Sequence, residues 1–494
     1  MLRDIAMAFA FGTAPALAAF MVAFRFAHLA RRLFGEGSLQ NTFIPHFEEL
    51  RLSNPTRAFA FFRDLAASLL IILAVLIGAG MTLLHFIYPL EWSSETKQIL
   101  LYTSLMLPSL FFICLYGLNA ALLGCEKKFF TSGIAPVAFN LVWIAAALYL
   151  SPMPIEKAMI GLSIAVILGC LAQWAVTVPQ TLKILPKDEF LCKVTPFSPD
   201  VRNLIKPLLL ANFGVAASQI NNALDPLFAL FANSEGPAWL WFAIRVQQLP
   251  LALFGIALAN ALIPPIARAI KAGNLEQFHH LFHFAVKRVL IFTVVTTAAI
   301  FATAPSCINL LFGRGHFDLE SITGTANCLL GYGIGLFPMA YILIAAPALF
   351  AFGDYKTPTK GASFSMLLNV GLNSLFVFTF AWGSPSVALA TSIAAFWNAY
   401  FLSHALSKKA GYLKDQTLLP ELGKTLLISG GALLAVWTLD YYLFGSAPAL
   451  QLLMNEPLQL PHNLFAQVLQ FTAEAFIFCS LVGFYFCRTY LKSR

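Results

Sequence analysis

Residues 22–45 read VAFRFAHLARRLFGEGSLQNTFIP and place three arginines, Arg25, Arg31 and Arg32, within or beside an apolar run. A charged side chain at membrane depth is costly, so it usually faces an internal cavity and serves a function. Arginine stays charged and carries a planar fork of donors that matches phosphate oxygens. This stretch therefore predicts a membrane protein with a cationic interior that handles an anionic, phosphorylated solute.

The rest of the chain has the composition of a membrane protein. Of its 494 residues, 59% are hydrophobic and only 11% are charged, and the mean hydropathy is +0.76. Apolar runs of about 20 residues, the length that a helix needs to cross a bilayer, recur along the whole sequence. We predict an all-α polytopic membrane protein of about 14 transmembrane helices. The spans follow an apolar stub at 1–11 and lie at roughly 14–34, 65–90, 98–124, 129–150, 158–182, 204–232, 237–266, 284–312, 322–352, 359–381, 384–407, 421–444 and 464–487.

Basic residues alternate in density between successive loops. Most of the 31 lysines and arginines fall in every second loop, whereas the loops between them hold only Lys97, Lys157 and Arg314. The positive-inside rule makes the rich side cytoplasmic and places both termini there. The net charge of +8 is thus a topology signal. We do not expect a nucleic acid as a partner.

Signatures of other function classes do not occur in the sequence. The eight cysteines are scattered, without a CxxC pair, and are expected to act as small apolar residues. His279, His280 and His283 have the spacing of metal ligands, but they lie in a polar loop and we favour solvated side chains there. No Walker loop, GxSxG or HExxH motif indicates ATP-driven or hydrolytic chemistry. We expect no enzyme, no metal and no bound cofactor.

A weak internal duplication runs through the chain at an offset of about 220–230 residues. Agreement in order and spacing predicts two six-span lobes of the same orientation around a central cationic cavity, with two appended spans. The predicted domains are 1–190, 191–415 and 416–494, the last holding spans 13 and 14 with a groove for a lipid tail. The matches are 43–45 with 262–264, Tyr102 with Tyr332, Pro108 with Pro338, and Asn140 with Asn369.

Arg245 lies in the middle of the apolar run AWLWFAIRVQQLP, with no acidic residue in its own span. It either pairs with Asp225 of the preceding span or faces the cavity, where cations of both lobes would converge on one anion. Arg25 and Arg32 share one helix face and are alternatively anchors at a helix end, whereas Arg31 points about 100° away.

Asp225 is a second buried charge, and Asn369 and Asn373 lie one helical turn apart on one face. A carboxylate with amide oxygens suits a Na⁺ or H⁺ site in a transporter. Hydrogen bonding between helices explains the same residues equally well. In the appended spans, Asp440 and Glu474 are expected to be interfacial or paired.

Several stretches resemble the MurJ (MviN) family of lipid II flippases, within the multidrug/oligosaccharidyl-lipid/polysaccharide exporter superfamily. They are RDIAMAFAFG near the start, RRLFGEG followed by FIP, WFAIRVQQLP leading into FGIALANALIP, and the loop GDYKTPTK. The resemblance covers essentially the whole chain. It implies transfer of lipid II, the undecaprenyl-diphosphate-linked muropeptide, from the inner to the outer leaflet of the bacterial cytoplasmic (inner) membrane for peptidoglycan synthesis and cell-wall biogenesis.

The resemblance also implies roles for individual residues. The cavity arginines of the family fall on Arg3, Arg31 and Arg245, which would hold the diphosphate, and Glu36 matches the acidic residue after the RRLF block. Arg25, Arg32 and Gln248 would support them. Alternating access would be driven by a coupling cation, Na⁺ or H⁺, or by the membrane potential. Asp225, Asn369 and Asn373 are the candidate coupling-ion site.

The sequence departs from the family pattern at several positions. Ala18 stands where the family has an aspartate, Ala27-His28 replaces its Pro-Asn, and Gln248 occupies a position that can be glutamate. These differences leave the cavity more positive. The chain opens at Met1, just before Arg3, where the family has a full first span, so we expect a truncated first span.

Two other functions stay open. One is export of another polyprenyl-linked saccharide, or of drugs, by a protein of the same superfamily. The excess of arginines argues against export of cationic drugs, because an exporter of cations is expected to have an acidic cavity. The other is a non-transporting membrane scaffold for cell-wall synthesis enzymes, in which buried arginines would be an unexplained cost. Membrane lipids and cell-wall synthesis enzymes are candidate partners besides lipid II.

Overall fold

The computed structural model describes residues 1–34, 38–186, 194–411 and 418–492. Within these ranges, side chains are described except at 28–34, 38, 40–41, 206–207, 209–222 and 487–492. The described residues form α-helices joined by short connections and no β-strand. The α-helices are α1 Leu2–Phe11, α2 Pro15–Phe34, α3 Ser38–Ser53, α4 Pro55–Ile87, α5 Ser94–Met106, α6 Ser109–Cys125, α7 Phe129–Leu150, α8 Ile155–Ile184, α9 Pro199–Ala232, α10 Gly236–Pro250, α11 Ala257–Lys271, α12 Leu275–Phe312, α13 Leu319–Ile334, α14 Leu336–Ala351, α15 Lys356–Ser374, α16 Pro385–Ala410, α17 Leu418–Phe444, α18 Pro448–Met454 and α19 Leu464–Lys492.

Polar residues at the helix starts explain where several of these helices begin. Asn54 accepts a hydrogen bond from the backbone N–H of Arg57 at 3.3 Å, with Pro55 in the first turn of α4. Asp318 accepts one from the N–H of Ser321 at 2.8 Å, at the start of α13. Such caps satisfy backbone donors that have no partner inside the helix.

The helices confirm the predicted class, an all-α polytopic membrane protein. Among the described residues, nine helices are long and apolar enough to cross a membrane, and the number rises to 11 if each of two bent helix pairs is one span. Shorter apolar helices, Pro15–Ala27 and Ala223–Ala232, are parts of α2 and α9. The count of fourteen spans stays a prediction.

Two bent helix pairs occur at equivalent positions of the internal duplication. The pair α5 and α6 bends by 47° beside Pro108, and the pair α13 and α14 bends by 45° beside Pro338. Proline removes a backbone donor and commonly causes a kink in a helix. The duplicated prolines therefore mark equivalent bent spans.

The chain divides into two compact units, Met1–Leu224 and Asp225–Arg494. In the first unit, α8 packs against α6 and α7, α2 packs against α5, and α1 packs against α7. An aromatic cluster joins these helices, because Trp143 lies 5.8 Å from Phe20, 4.9 Å from Phe24 and 5.4 Å from Phe139 between ring centroids. Trp143 is 1% exposed. These contacts position α1 and α2, which carry the arginines of this half.

The second unit is organised around α12, a helix of 38 residues. It packs against α11, α13 and α14 on the one hand and against α17, α18 and α19, the appended part of the chain, on the other. The unit thus contains the appended spans together with most of the second set of six, whose first predicted span, 204–232, is divided between the two units. The predicted domain boundaries near 190 and 415 lie outside the described residues, so this division of the chain stays a prediction.

Two short π-helical segments interrupt spans of the second unit. Leu251–Ile256 joins α10 to α11, and Leu375–Thr379 follows α15 directly. The first begins after Pro250, which cannot donate a backbone hydrogen bond. Segments of this kind are frequent at functional sites.

Candidate functional site

Arg3 lies at the start of α1 against an aromatic ring. Its Cζ is 4.7 Å from the ring centroid of Trp143 on α7, and its Nη2 donates to Asp4 Oδ1 at 3.1 Å. Asp4 is 2% exposed and also lies 3.5 Å from the N-terminal amine of Met1. The guanidinium is therefore held by a cation–π contact on one side and a carboxylate on the other.

The arginines of the second predicted span are described only in part. Arg25 is half-buried on α2. Arg31 and Arg32 lie on the last turns of α2, but their side chains are outside the description, as is Glu36 altogether. Their predicted roles stay predictions. Ala18, which stands where the family has an aspartate, is fully buried, so this part of the helix is packed without a charge.

Arg245 is half-buried on α10 and lies against a tryptophan one turn earlier. Its Cζ is 4.5 Å from the ring centroid of Trp241, and its Nη1 donates to Gln248 Oε1 at 3.3 Å. Gln248 is exposed, whereas Trp241 is 5% exposed. A stacked guanidinium keeps its plane fixed, which favours two-pronged binding of a phosphate group.

Asp225, Asn369 and Asn373 meet in the second unit, as the sequence predicts for a shared site. Asn373 Nδ2 donates to Asp225 Oδ1 at 3.1 Å. With its amide nitrogen turned toward Asp225, Asn369 donates to the same oxygen at 3.0 Å. Asn369 is 1% exposed, Asn373 0% and Asp225 6%. The three residues thus form one buried polar cluster between α9 and α15.

The cluster has a fourth member that sequence reasoning missed. Thr391 on α16 donates to Asp225 Oδ2 at 3.2 Å. In the described part of the chain, Oδ1 of Asn373 receives no hydrogen bond. Amide and hydroxyl groups donate to the buried Asp225 carboxylate, and the amide oxygens beside it, one of them without a donor, are of the type that a hard cation prefers.

In the loop of the GDYKTPTK stretch, Asp354 caps the start of α15. Asp354 Oδ1 accepts from the backbone N–H of Thr357 at 2.9 Å, and its Oδ2 accepts from Thr357 Oγ1 at 2.7 Å. Lys409 Nζ lies 3.3 Å from the same carboxylate. The hydrogen bonds from Thr357, then the charge of Lys409, lower the pKa of Asp354 to about 2. This motif is therefore structural, because it starts α15, the helix that carries Asn369 and Asn373.

The histidine cluster has a local role in the second unit. His279 Nε2 lies 2.8 Å from the carbonyl oxygen of Ala410, the last residue of α16. Within the described ranges, no group of three or more histidine, cysteine or acidic side chains is arranged to hold a metal ion. The predicted polar loop is wrong, because His279, His280 and His283 all lie on α12. The ring of His279 contacts a helix end whose last carbonyl groups lack backbone partners.

Known proteins resemble the chain along most of its length. The family described as "Lipid II flippase MurJ" matches residues 7–452. A probable lipid II flippase MurJ of Chlamydia pneumoniae is 30% identical over 98% of this chain and 88% of its own length. One of Vibrio cholerae is 30% identical over 89% of this chain and 86% of its own length.

Solved structures agree on the fold. A lipid II flippase MurJ in an inward-closed conformation has a TM-score of 0.78 and 20% identity, covering 99% of this chain and 96% of that one. An inward-facing multidrug resistance MATE transporter of the MOP superfamily has a TM-score of 0.68 and 17% identity over 84% of this chain and 94% of that one. At such identities the likeness concerns the fold alone. The match over residues 7–452 and the relatives at 30% identity establish that the chain belongs to the MurJ family of lipid II flippases.

Proposed function

We propose that this chain moves lipid II, the undecaprenyl-diphosphate-linked muropeptide, from the inner to the outer leaflet of the bacterial cytoplasmic membrane. Family membership over residues 7–452 is the observation that carries the proposal. The relatives are named as lipid II flippases, which are transporters and not enzymes. The multi-pass helical architecture agrees with this role.

Arginines are the proposed ligands of the diphosphate. Arg3 and Arg245 each carry a guanidinium against a tryptophan face, at 4.7 and 4.5 Å. A guanidinium in this environment is weakly hydrated and presents parallel donors to phosphate oxygens. Arg31 is the third proposed ligand, with Arg25, Arg32, Glu36 and Gln248 in supporting roles. Arg3 and Arg31 belong to the first unit and Arg245 to the second, and each is a proposed ligand of the diphosphate.

The proposed mechanism is alternating access by rocking of the two six-span lobes. The bent pairs, at 47° and 45°, and the π-helical segments supply places where a span changes direction. Helices broken in this way commonly line the substrate pathway of transporters. The polyprenyl tail would stay in lipid, in a groove beside the appended spans α17 and α19.

The Asp225 cluster is the proposed coupling-ion site. Its carboxylate, the amides of Asn369 and Asn373 and the hydroxyl of Thr391 are oxygen-rich and buried. Na⁺ suits this donor set, and a proton on Asp225 is the alternative. A cation bound there would stabilise one arrangement of α9, α15 and α16 over another, which is how an ion gradient biases a two-state transporter.

The charge pattern supports an orientation with both termini in the cytoplasm. It follows that the lysine-rich connections, including the Asp354 loop, face the compartment where lipid II is made. Membrane lipids would surround the spans, and cell-wall synthesis enzymes are proposed partners of the same membrane.

A leaflet-accessibility assay of lipid II tests the proposal. Depletion of the protein should trap lipid II in the inner leaflet, and expression of the wild type should restore it to the outer leaflet. Arg245→Ala and Arg31→Ala should fail to restore it at normal protein levels, while exposed Arg57→Ala should succeed. Lipid II that reaches the outer leaflet without the protein would favour a scaffold or an exporter of another substrate. Full restoration by both cavity variants would exclude the arginine sites.

A further inference from the structure

Two buried carboxyl groups lie outside the proposed substrate and ion sites, where the appended helices α17 and α19 pack on α12. Glu474 of α19 is 0% exposed and Asp440 of α17 is 1% exposed. The two carboxyl groups interact directly with each other. Ser306 of α12, 4% exposed, donates to Glu474 Oε1 at 2.5 Å. All three helices are long and apolar enough to span a membrane.

The carboxyl groups sit at one end of an apolar seam between these helices. Ala302, Val436 and Phe478 form part of that seam, at 1%, 0% and 3% exposure. Each lies four residues from a polar member of the site, on α12, α17 and α19 respectively. Since four residues are about one helical turn, the site forms the next layer of the same packed interface.

Hydrogen bonds do not satisfy this pair within the described residues. Neither oxygen of Asp440 has a protein donor there, and Oε2 of Glu474 has none. The amide of Gln470, 2% exposed and one turn before Glu474, also lies beside this carboxyl, with its Nε2 in no hydrogen bond. Buried carboxyl oxygens are normally hydrogen-bonded, so these oxygens require a donor that the described side chains around them do not supply.

No basic side chain of the described residues faces either carboxyl. Another titratable group beside the pair is the Cys307 thiol of α12. Two ionised carboxylates are both acceptors only, so they repel and cannot hydrogen-bond to each other. Burial of two uncompensated charges would cost many kcal/mol. One proton removes the repulsion and supplies the missing donor.

We propose that Asp440, Glu474 and Ser306 form a proton-binding site in which one proton is shared between the two carboxyl groups. Ser306 supplies the second hydrogen bond to Glu474. Loss of this proton would place two negative charges in the seam and weaken the docking of α17 and α19 on α12. The appended helix pair is thus attached to the second unit in a proton-dependent way.

A polar route leads from the pair to the helix ends. Beyond Gln470, the amide of Gln467, 2% exposed, donates to Asn309 Oδ1 at 3.2 Å and lies 3.3 Å from the carbonyl oxygen of Pro461. Asn309 itself donates to that carbonyl at 3.0 Å. Pro461 lies in the connection between α18 and α19. These polar side chains lie on the side from which water and protons would reach the buried pair.

Infrared spectroscopy of the full-length protein in lipid vesicles tests the site. We expect the wild type at neutral pH to show a protonated carboxyl band that the double variant Asp440→Asn, Glu474→Gln lacks. Glu456→Gln, which removes an exposed carboxylate, should leave that band unchanged. A difference spectrum that shows loss of ionised carboxylates alone would overturn the proposal. Displacement of the wild-type band when NaCl replaces choline chloride at constant pH would also overturn it, because the site would then bind a metal cation.

Thermal unfolding gives a second measurement. The folded protein holds a proton that the unfolded chain releases, so wild-type stability should fall as the pH rises from about 5 to 9. The double variant imitates the protonated pair with neutral amides and should lose this part of the pH dependence. An identical pH dependence in both proteins would contradict the site. If the variant does not fold, the wild type alone tests the site. Its protonated carboxyl band should then disappear at high pH, and its thermal stability should fall over the same pH range. A band or a stability that does not change with pH would contradict the proposal.

Discussion

Arg245 and Trp241 lie one helical turn apart on α10, with the guanidinium carbon 4.5 Å from the indole centroid. Arg3 and Trp143 make the same contact at 4.7 Å in the first unit, although they come from different helices. Both tryptophans are almost fully buried. An aromatic ring that is itself fixed by packing fixes the plane of the guanidinium above it, which is a requirement for two-pronged phosphate binding.

Replacement of Trp241 by leucine should therefore impair flipping more than it lowers protein level. A cation–π contact contributes about 0.5–2 kcal/mol, which corresponds to a roughly 2- to 30-fold loss of lipid II transfer. Trp241→Phe should retain most activity, because phenylalanine keeps a ring face. The leaflet-accessibility assay, normalised to protein level, measures both variants. Equal activity of the leucine and phenylalanine variants would show that the ring face is unimportant.

Gln248→Glu should weaken the proposed diphosphate site. Gln248 accepts from Arg245 at 3.3 Å, so a glutamate in its place would form an ion pair with the arginine and compete with the substrate. We expect an approximately two- to tenfold loss of flipping, reduced by screening because position 248 is exposed. Gln248→Ala is the matched control, because it removes the hydrogen bond to Arg245 without adding a charge, and it should lose less activity than the glutamate variant. A glutamate variant as active as the alanine variant would contradict competition for Arg245.

Asn369→Ala should abolish the effect of a coupling cation. Asn369 belongs to the Asp225 cluster. Asn140, which occupies the equivalent position in the internal duplication, makes one side-chain hydrogen bond among the described contacts, to the backbone carbonyl of Pro136 at 2.8 Å. Thermal unfolding in NaCl against choline chloride should show Na⁺ stabilisation of the wild type and of Asn140→Ala. The shift should vanish in Asn369→Ala and in Asp225→Asn. Na⁺ stabilisation that survives both substitutions would place the cation elsewhere.

Asp354→Ala should destabilise the start of α15 by about 1 kcal/mol, the usual cost of removing a helix cap. The pKa of Asp354, lowered to about 2 by the Thr357 hydrogen bonds and Lys409, gives the sign of the pH effect. The stabilisation is complete above the unfolded pKa near 3.9 and is lost as the pH falls toward 2. The difference in Tm between wild type and variant should accordingly shrink below about pH 4. Lys409→Ala keeps both hydrogen bonds and should cost less.

The sequence predicts a good deal of this architecture, for identifiable reasons. Length and apolar runs predict membrane helices because each span must satisfy its own backbone hydrogen bonds. The i, i+4 spacing of Asn369 and Asn373 predicts a shared face, and the structure places both against Asp225. Trp241 could have been recognised in the same way, since it precedes Arg245 by four residues.

Other features depend on contacts that no local pattern encodes. Thr391 lies on a different helix from the rest of the Asp225 cluster, and threonine is common in membrane helices. Asp440 and Glu474 lie on different helices, so the sequence allows pairing but does not identify the partner of either carboxyl group. Pro250 precedes the first π-helical segment and is its only sequence signal, and the second segment has none.

The π-helical segment Leu251–Ile256 separates the two halves of one long span, Gly236–Lys271. A wider turn accommodates an extra residue, and each residue advances an α-helix by about 100°. The face of α11 is therefore rotated about the axis relative to the face that carries Arg245. One continuous span can thus orient the half that carries Arg245 and the other half independently, as two short helices would do without a loop between them.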